Sequence, residues 1–398
     1  MKERIRVLYI VTAFPRHEGD VITPWLWTLI RELMKHGVEA DVLASSYRGM
    51  RGGELWGIRV HRWRYAPARW ENLSHDVAIF EKLRSNPLNY LLVPFFLLGG
   101  YLKARALARN GWYDLVHVSW AIPFSLLALP FKKIPWLFTF HHSELTIADR
   151  FPFVKALFSR ILNKVSVITV NSTFTMRELL ERFPGLKRVE AIPWPPGWEI
   201  PQELPPRERN RVLFVGRLVE WKGVDYLLKA FKIVSKNLPD ASLVIVGDGP
   251  EREHHMEQTR NLGIDDRVAF VGWKVGQELI EEYARASVLM VPSIVDYKGQ
   301  TESLGVVAIE AMALGTPVVA SRVGGLTDVI ADGETGFLVP QKDPEALAFS
   351  MEKILTDGEM AGEMSRNARK RFEKMFSPQS IAERFIQLYG ELLNKPDG

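Results

Sequence analysis

The chain of 398 residues contains no cysteine, which excludes disulfides, thiolate metal sites, iron–sulfur clusters and cysteine nucleophiles together. A reducing compartment is therefore the expectation. Long hydrophobic runs are also scarce. A stretch without charge, Ser85 to Leu102, has a strongly apolar centre from Tyr90 to Gly100, but it is shorter than the roughly 20 residues a spanning helix needs. It opens Ser85-Asn86-Pro87 and carries Pro94 inside, so a buried or interfacial helix is expected, with peripheral contact to a membrane left open. Met1 to Arg6 runs directly into the apolar pattern Val7–Val11, and no secretory signal is readable. The expected location is the cytoplasm, or peripherally at the inner membrane face. No short-period repeat or low-complexity tract occurs, which removes solenoids and propellers.

What is present is an ordinary globular composition, 47% hydrophobic and 25% charged, at a length beyond the roughly 250–300 residues where a single core stops growing. Two domains are expected. The net charge of +4 is modest but uneven: Arg48, Arg51, Arg59, Arg62, Arg64 and Arg69 cluster against Glu54 alone, with Trp56, Trp63, Tyr65 and Trp70 interleaved. Such a group suits an anionic acceptor, a membrane surface or phosphates, or is simply an exposed face of strand and loop arginines. No nucleic-acid partner is expected.

Short β-branched runs alternate with helical patterns throughout, the signature of parallel sheets built from βαβ units. The first half offers strands at Ile5–Ile10, Ala40–Ala44, Ile58–Trp63, Asp114–Ser119, Trp136–Phe140, Ser166–Val170 and Val189–Ile192. The second offers Arg211–Val215, Ser242–Val246, Val268–Val271, Val288–Val291, Pro317–Ala320 and Gly336–Val339. Each half reads as a doubly wound α/β domain. Between them, Pro193 to Pro206 holds six prolines in fourteen residues, a composition suited to a stiff extended linker. The expected division is 1–195, a linker at 196–206, and 207–377. A final helix, 378–398, with apolar Ile381, Phe385, Leu388, Tyr389 and Leu392 at helical spacing, is expected to pack back on the first domain.

In open parallel sheets ligands bind beyond the carboxyl ends of strands, which confines the search for chemistry to the strand-to-helix turns. One candidate is Leu213-Phe-Val-Gly-Arg-Leu-Val-Glu-Trp-Lys-Gly223. Its strand breaks at Gly216 and the chain re-enters a helix past Lys222, so a helix N-terminus and the charges of Arg217 and Lys222 share one rim. That is a diphosphate clamp or a pair of surface ion pairs; it is neither a Walker A loop nor a three-glycine dinucleotide fingerprint. A second candidate is Gln300 to Pro317, where Glu302 precedes a helix and Glu310 lies inside it. Gly305 admits a ligand close to the helix start. Glu310, amid small and apolar neighbours, requires hydrogen-bond partners if buried, from ribose hydroxyls or from a structural salt bridge.

Taken together, these stretches resemble the retaining glycosyltransferases of family 4, with the two-domain GT-B fold. The matching elements are Gly216-Arg217 with Lys222-Gly223, Val246-Gly-Asp-Gly-Pro250, Phe270-Val-Gly-Trp273, Glu302 with Glu310, and Thr316 to Ser321 leading to Val323-Gly-Gly325. The resemblance is strong over about Arg211–Pro340 and looser before it. It implies two doubly wound Rossmann-like domains facing across a cleft, the first binding the acceptor and the second the donor. It also implies transfer of a sugar from a nucleoside diphosphate sugar with retention of anomeric configuration. Residue by residue, Arg217 and Lys222 would hold the donor diphosphate with the helix start at Leu304-Gly305, Glu310 the ribose hydroxyls, Glu302 the donor sugar, and the turn at Trp273-Lys274 the base.

In the first half, Thr139-Phe-His141 looks like the element that similar enzymes place beside the transferred sugar, making His141 catalytic together with Glu302 and His142 its neighbour. The loop after strand one carries Gly19-Asp20 where related enzymes often have a glycine pair. Asp20 is thus expected at an acceptor contact or as a helix cap, and Asn171-Ser172 likewise as site or cap. No Asp-x-Asp motif and no metal-ligand cluster occurs at a strand end, and His254-His255 reads as solvent-facing. No cofactor and no metal is expected beyond the nucleotide sugar itself, since Arg217, Lys222 and the helix dipole would neutralise the leaving diphosphate. The expected partners are that nucleotide sugar and a glycan, lipid-linked or small-molecule acceptor. A nucleotide-sugar epimerase, a phosphorylase of the same fold and a non-catalytic nucleotide-sugar-binding subunit are the alternatives.

Overall fold

A computed structural model describes residues 4–20, 22–75, 79–150 and 152–394. The chain divides into two compact units, Met1–Gly197 with Ile381–Gly398, and Trp198–Ser380. The final four residues of the expected terminal helix lie outside the described residues.

The first unit is built on an eight-stranded sheet. Its strands are β1 (Ile5–Ile10), β2 (Val38–Ser45), β3 (Gly53–Leu55), β4 (Ile58–Trp63), β5 (Leu115–Ser119), β6 (Trp136–Phe140), β7 (Val167–Val170) and β8 (Val189–Ala191), in the order β3-β4-β2-β1-β5-β6-β7-β8. All neighbours are parallel except β3 and β4. Strand β3 is absent from the sequence reading because Gly53-Glu54-Leu55 has no apolar run; it exists as the antiparallel return paired to β4. The chain builds outward from β1 toward β4 and then restarts at β5 on the other side, so the strand order reverses between β1 and β5.

Alternation along the strands divides the core in two. Leu8, Ile10, Val116, Val118, Phe138 and Phe140 join one buried cluster, while Val7, Tyr9, Leu115 and Leu137 join the other. The second cluster contains the helix Pro24–Lys35 and the terminal helix Pro378–Leu393, which contributes Ile381, Ala382, Phe385, Leu388, Tyr389 and Leu392. That helix is also tied by a buried polar relay. Tyr389 meets Tyr9 hydroxyl to hydroxyl at 2.8 Å and His117 Nδ1 at 2.9 Å, and His117 Nε2 meets Thr139 Oγ1 at 2.7 Å. Every buried polar atom of the relay has a partner, which offsets its desolvation. Burial depresses the His117 pKa to about 3, keeping the ring neutral.

The second unit holds a six-stranded all-parallel sheet: β9 (Arg211–Val215), β10 (Ser242–Val246), β11 (Val268–Gly272), β12 (Val288–Val291), β13 (Val318–Ser321) and β14 (Gly336–Val339), ordered β11-β10-β9-β12-β13-β14. Here the order reverses between β9 and β12. Val212, Phe214, Leu243, Ile245, Val288 and Met290 pack against the helices Val224–Asn237 and Pro344–Thr356.

The uncharged stretch departs from the buried alternative. A 3-10 turn at Pro87–Leu92 leads into the helix Val93–Ala108, and this joined segment is long and apolar enough to cross a membrane by length and composition. Phe96, Gly100 and Ala104 face inward, whereas Leu88, Leu91, Phe95, Leu98 and Leu102, spaced three and four residues apart, are all more than half exposed.

The arginine group is not a uniform exposed face either. Arg62 is buried and donates to the carbonyls of Phe14, Pro15 and Ser45, and burial lowers its pKa to about 10. Arg64 pairs with buried Glu71.

Since Phe385 is buried in the first unit's core, Phe385→Ala should cost about 3–5 kcal/mol. Urea denaturation of the full chain should show that unit losing stability ahead of the other.

Candidate functional site

Unit 2 gathers its charged candidates where its strand order reverses, which is where a crevice for ligand forms in such sheets. Lys222 follows β9, and Glu302 follows β12. Their side chains form an ion pair, and both are largely buried. Ser293 Oγ also approaches Glu302, at 3.5 Å, and the Lys222 ammonium lies 4.4 Å from the Trp221 ring centroid.

Glycines make this approach possible. Gly223 has φ 68°, and a Cβ there would stand 2.0 Å from the Pro292 carbonyl oxygen; Gly324, at φ 52°, would place one 1.8 Å from that of Glu302. Backbone bonds complete the weld: Ile294 N–H donates to Trp221 O at 2.8 Å, and Gly325 N–H to Glu302 O at 2.9 Å. On the other flank, Gly247 and Gly249 let the loop after β10 lie against Gly216 and Leu218, with Leu218 N–H donating to Asp248 O at 2.9 Å. The glycines read from the sequence thus serve mainly loop-to-loop contact at four strand ends.

Gly305, at φ 88°, opens the helix Val306–Ala313 without a side-chain cap, and Leu304 beside it is buried. The first N–H groups of that helix have no intrahelical acceptor. Arg217 lies exposed on the turn after β9. Unit 2 therefore presents an exposed guanidinium, a buried ammonium and an open helix N-terminus, a set suited to a diphosphate.

Glu310 makes no salt bridge among the described residues. Its carboxylate accepts from Tyr283 Oη at 2.7 Å and from Trp198 Nε1 at 3.3 Å. Burial pushes its pKa up to about 7, partly opposed by those two donors. The sequence reading missed both partners. The available signal was a lone tyrosine in a charged helix and a tryptophan just inside the proline-rich segment. Trp273 is exposed, while the Lys274 side chain is drawn to Glu282 at 2.8 Å.

In unit 1, His141 is buried at the end of β6, and burial lowers its pKa to about 3. Its backbone N–H donates to Glu144 Oε1 at 3.0 Å, and burial raises the Glu144 carboxyl to about 7. His142 takes φ 78° and stacks on Phe174. Asp20 caps no helix: the helix begins at Pro24, with Thr23 at its cap position. Burial alone would raise the Asp20 pKa, but two side-chain bonds and one backbone bond from Arg16 hold it below the usual range. Gly19 is exposed at φ 88°. At the end of β7 the cap is Ser172, whose Oγ accepts from Thr175 N–H at 3.1 Å, and Asn171 is buried beside it.

His254-His255 is not wholly solvent-facing. His255 is buried, and ligand atoms of Asp225, His254 and His255 lie within 4.8 Å of one another. Both rings approach Asp225, His254 Nε2 at 2.8 Å and His255 Nδ1 at 3.9 Å from its Oδ1, and their centroids lie 5.5 Å apart.

Residues 198–371 match the family model of glycosyl transferases group 1, and residues 24–197 match that of glycosyltransferase family 4. The chain belongs to this glycosyltransferase family and is a glycosyltransferase. It is 31% identical to D-inositol 3-phosphate glycosyltransferase of Corynebacterium glutamicum, over 91% of this chain and 89% of the relative. It is 30% identical to glycogen synthase of Mycobacterium tuberculosis, over 72% and 71%. Among solved structures it is similar to sucrose-phosphate synthase from Thermosynechococcus elongatus, with TM-score 0.71, 25% identity and coverage of 98% and 99%.

The raised pKa of Glu310 gives a testable sign. The folded state binds this proton more tightly than the unfolded chain, so the stabilising contribution is complete below about pH 4.5 and falls as pH rises through about 7. Glu310→Gln should flatten that decline, reducing the loss of stability between pH 5 and 8 by roughly 1–3 kcal/mol in urea titrations.

Proposed function

We propose that the chain transfers a sugar from a nucleoside diphosphate sugar to a glycan, lipid-linked or small-molecule acceptor, with retention at the anomeric carbon. The observation that carries this is the Lys222–Glu302 pair at the strand reversal of unit 2, beside the helix that opens at Gly305. Arg217, Lys222 and the Leu304-Gly305 helix start take the diphosphate, where negative charge grows as the glycosidic bond breaks. This cationic set neutralises the leaving group without a metal. Glu310 takes the ribose hydroxyls, exchanging the donors Tyr283 and Trp198 for them in part. Glu302 contacts the donor sugar, and the backbone at Trp273-Lys274 the base.

Unit 1 is assigned the acceptor, with His141 acting on the transferred sugar and Gly19, Asp20, His142 and Asn171 as acceptor or loop positions. A neutral imidazole suits a hydroxyl partner, giving one donor and one acceptor. A structural neighbour from Anabaena, HepE in complex with UDP and glucose, 17% identical with TM-score 0.68, is in keeping with this donor class.

The apolar stripe Leu88–Leu102 favours an acceptor held at a membrane. Lys82, Arg84, Lys103, Arg105 and Arg109 flank it, and no acidic residue falls between positions 82 and 113; such a face suits the anionic cytoplasmic leaflet. The proposed location is accordingly cytoplasmic and peripheral to the inner membrane face.

Calorimetry with a panel of nucleoside diphosphates should find one that binds, and Lys222→Ala should weaken it at least a hundredfold while the circular-dichroism spectrum stays that of the folded chain, with a lower melting temperature because Glu302 loses its partner. Unchanged affinity would refute the donor site. Separately, the protein should co-sediment with vesicles containing anionic lipid at low salt, and Leu91→Ser with Phe95→Ser should abolish it; no sedimentation of the parent chain would remove membrane contact from the account.

A further inference from the structure

Four aromatic rings meet at the strand ends of unit 1. Trp25 comes from the first turn of the helix that follows β1, Trp120 follows β5, His141 follows β6, and Trp194 lies three residues beyond β8. Trp120 stacks on His141 at 4.1 Å between centroids, with planes 20° apart. Trp25 stacks on Trp194 at 4.9 Å and 14°, and His141 lies 4.6 Å from Trp194 and 5.2 Å from Trp25. Trp25 and Trp120 flank the reversal of strand order between β1 and β5, the place where such sheets form ligand crevices.

Three features separate this cluster from ordinary core. His141 is 5% exposed, yet neither ring nitrogen has a hydrogen-bond partner among the described residues, and neither does the buried Nε1 of Trp194. Buried indole N–H and imidazole groups ordinarily find partners, and each one left unmade costs about 1–3 kcal/mol. The nearby His117, equally buried, has both its nitrogens satisfied. Second, Trp120 sits in the left-handed backbone region at φ 58°, a conformation that costs a non-glycine residue about 1–2 kcal/mol. Third, the three indoles remain only partly buried, so the cluster reaches the surface.

We infer that Trp25, Trp120 and Trp194 form with His141 a subsite for a pyranose ring. A pyranose offers a flat C–H face of indole-like thickness, able to replace one tryptophan in the Trp25–Trp194 stack. Its hydroxyls both donate and accept, which is what a neutral imidazole and an indole N–H lack here. A nucleobase also stacks, but its polar groups all lie in the one plane of its edge, whereas pyranose hydroxyls leave the ring in several directions. The inference rests on the sugar-transferring role proposed above. It adds three tryptophans as binding residues, and the ring they hold is either the transferred sugar or a sugar of the acceptor.

The test is saturation-transfer NMR on the full chain with methyl α-D-glucopyranoside, methyl α-D-mannopyranoside and methyl N-acetyl-α-D-glucosaminide. At least one should bind with saturation strongest on its ring C–H protons. Trp25→Leu should weaken it at least tenfold, Trp194→Phe, which keeps a ring but loses the N–H, by a smaller factor, and Trp70→Leu, an exposed tryptophan elsewhere on the unit, not at all. Calorimetry with a nucleoside diphosphate and its sugar conjugate tells the two sources apart. Weaker conjugate binding by Trp25→Leu with unchanged diphosphate binding assigns the ring to the transferred sugar; weakened glycoside binding alone assigns it to the acceptor. The inference is overturned if no glycoside binds at 20 mM, if folded Trp25→Leu and Trp194→Phe bind as the parent does, or if free nucleosides are saturated and glycosides are not. Failure of the donor proposal would show instead as nucleoside diphosphate affinity indifferent to Lys222.

Discussion

The buried pair between Lys222 and Glu302 is the interaction on which the site in unit 2 depends. Replacing such pairs by apolar residues is often neutral or stabilising, so stability alone does not account for keeping this one. What it does is hold an ammonium, already desolvated, at the reversal of the sheet where an anion can compete for it. Everything around it serves that placement. Gly223 and Gly324 remove the side chains that would keep the β9, β12 and β13 loops apart, and backbone bonds from Ile294 and Gly325 fix the loops once they touch. The result is a fixed, desolvated charge at the sheet reversal, the form of preorganisation on which the proposed stabilisation of a leaving diphosphate relies.

Unit 1 follows a different rule. Its terminal helix is secured by a relay, Tyr9 to Tyr389 to His117 to Thr139, in which the polar atoms are satisfied internally. A few residues away, the cluster around His141 is left unsatisfied. The same residue type at equal depth thus has two roles: His117 closes the fold, and His141 holds back its hydrogen-bonding capacity.

Much of this was legible in the sequence, for identifiable reasons. Buried parallel strands announce themselves as short apolar runs between glycine and proline, and all thirteen expected strands correspond to strands here, while β3, a three-residue edge return, has no such run. The placement of Lys222 and Glu302 at strand-to-helix turns was legible because their order around glycine turns is distinctive, whereas the ion pair between them, made across two loops, was not. The partners of Glu310 were not, since Tyr283 and Trp198 reach it only through the packing of distant segments. Arg62 looked exposed in a run of arginines. Its burial comes from three carbonyls supplied by β2 and the loop after β1, which no local pattern encodes. The stripe Leu88–Leu102 read as apolar from the start, but only the inward placement of Phe96, Gly100 and Ala104 shows which side is left over.

The central claim is that the strand ends of unit 2 hold a nucleoside diphosphate between a cationic loop and a helix start. Amide hydrogen exchange with and without the nucleoside diphosphate that binds tests it most directly. The account predicts slowed exchange confined to Gly216–Gly223, Ser303–Ala308 and the turn at Trp273-Lys274, absent in Lys222→Ala. Protection that falls elsewhere, or that survives loss of the lysine, would contradict it.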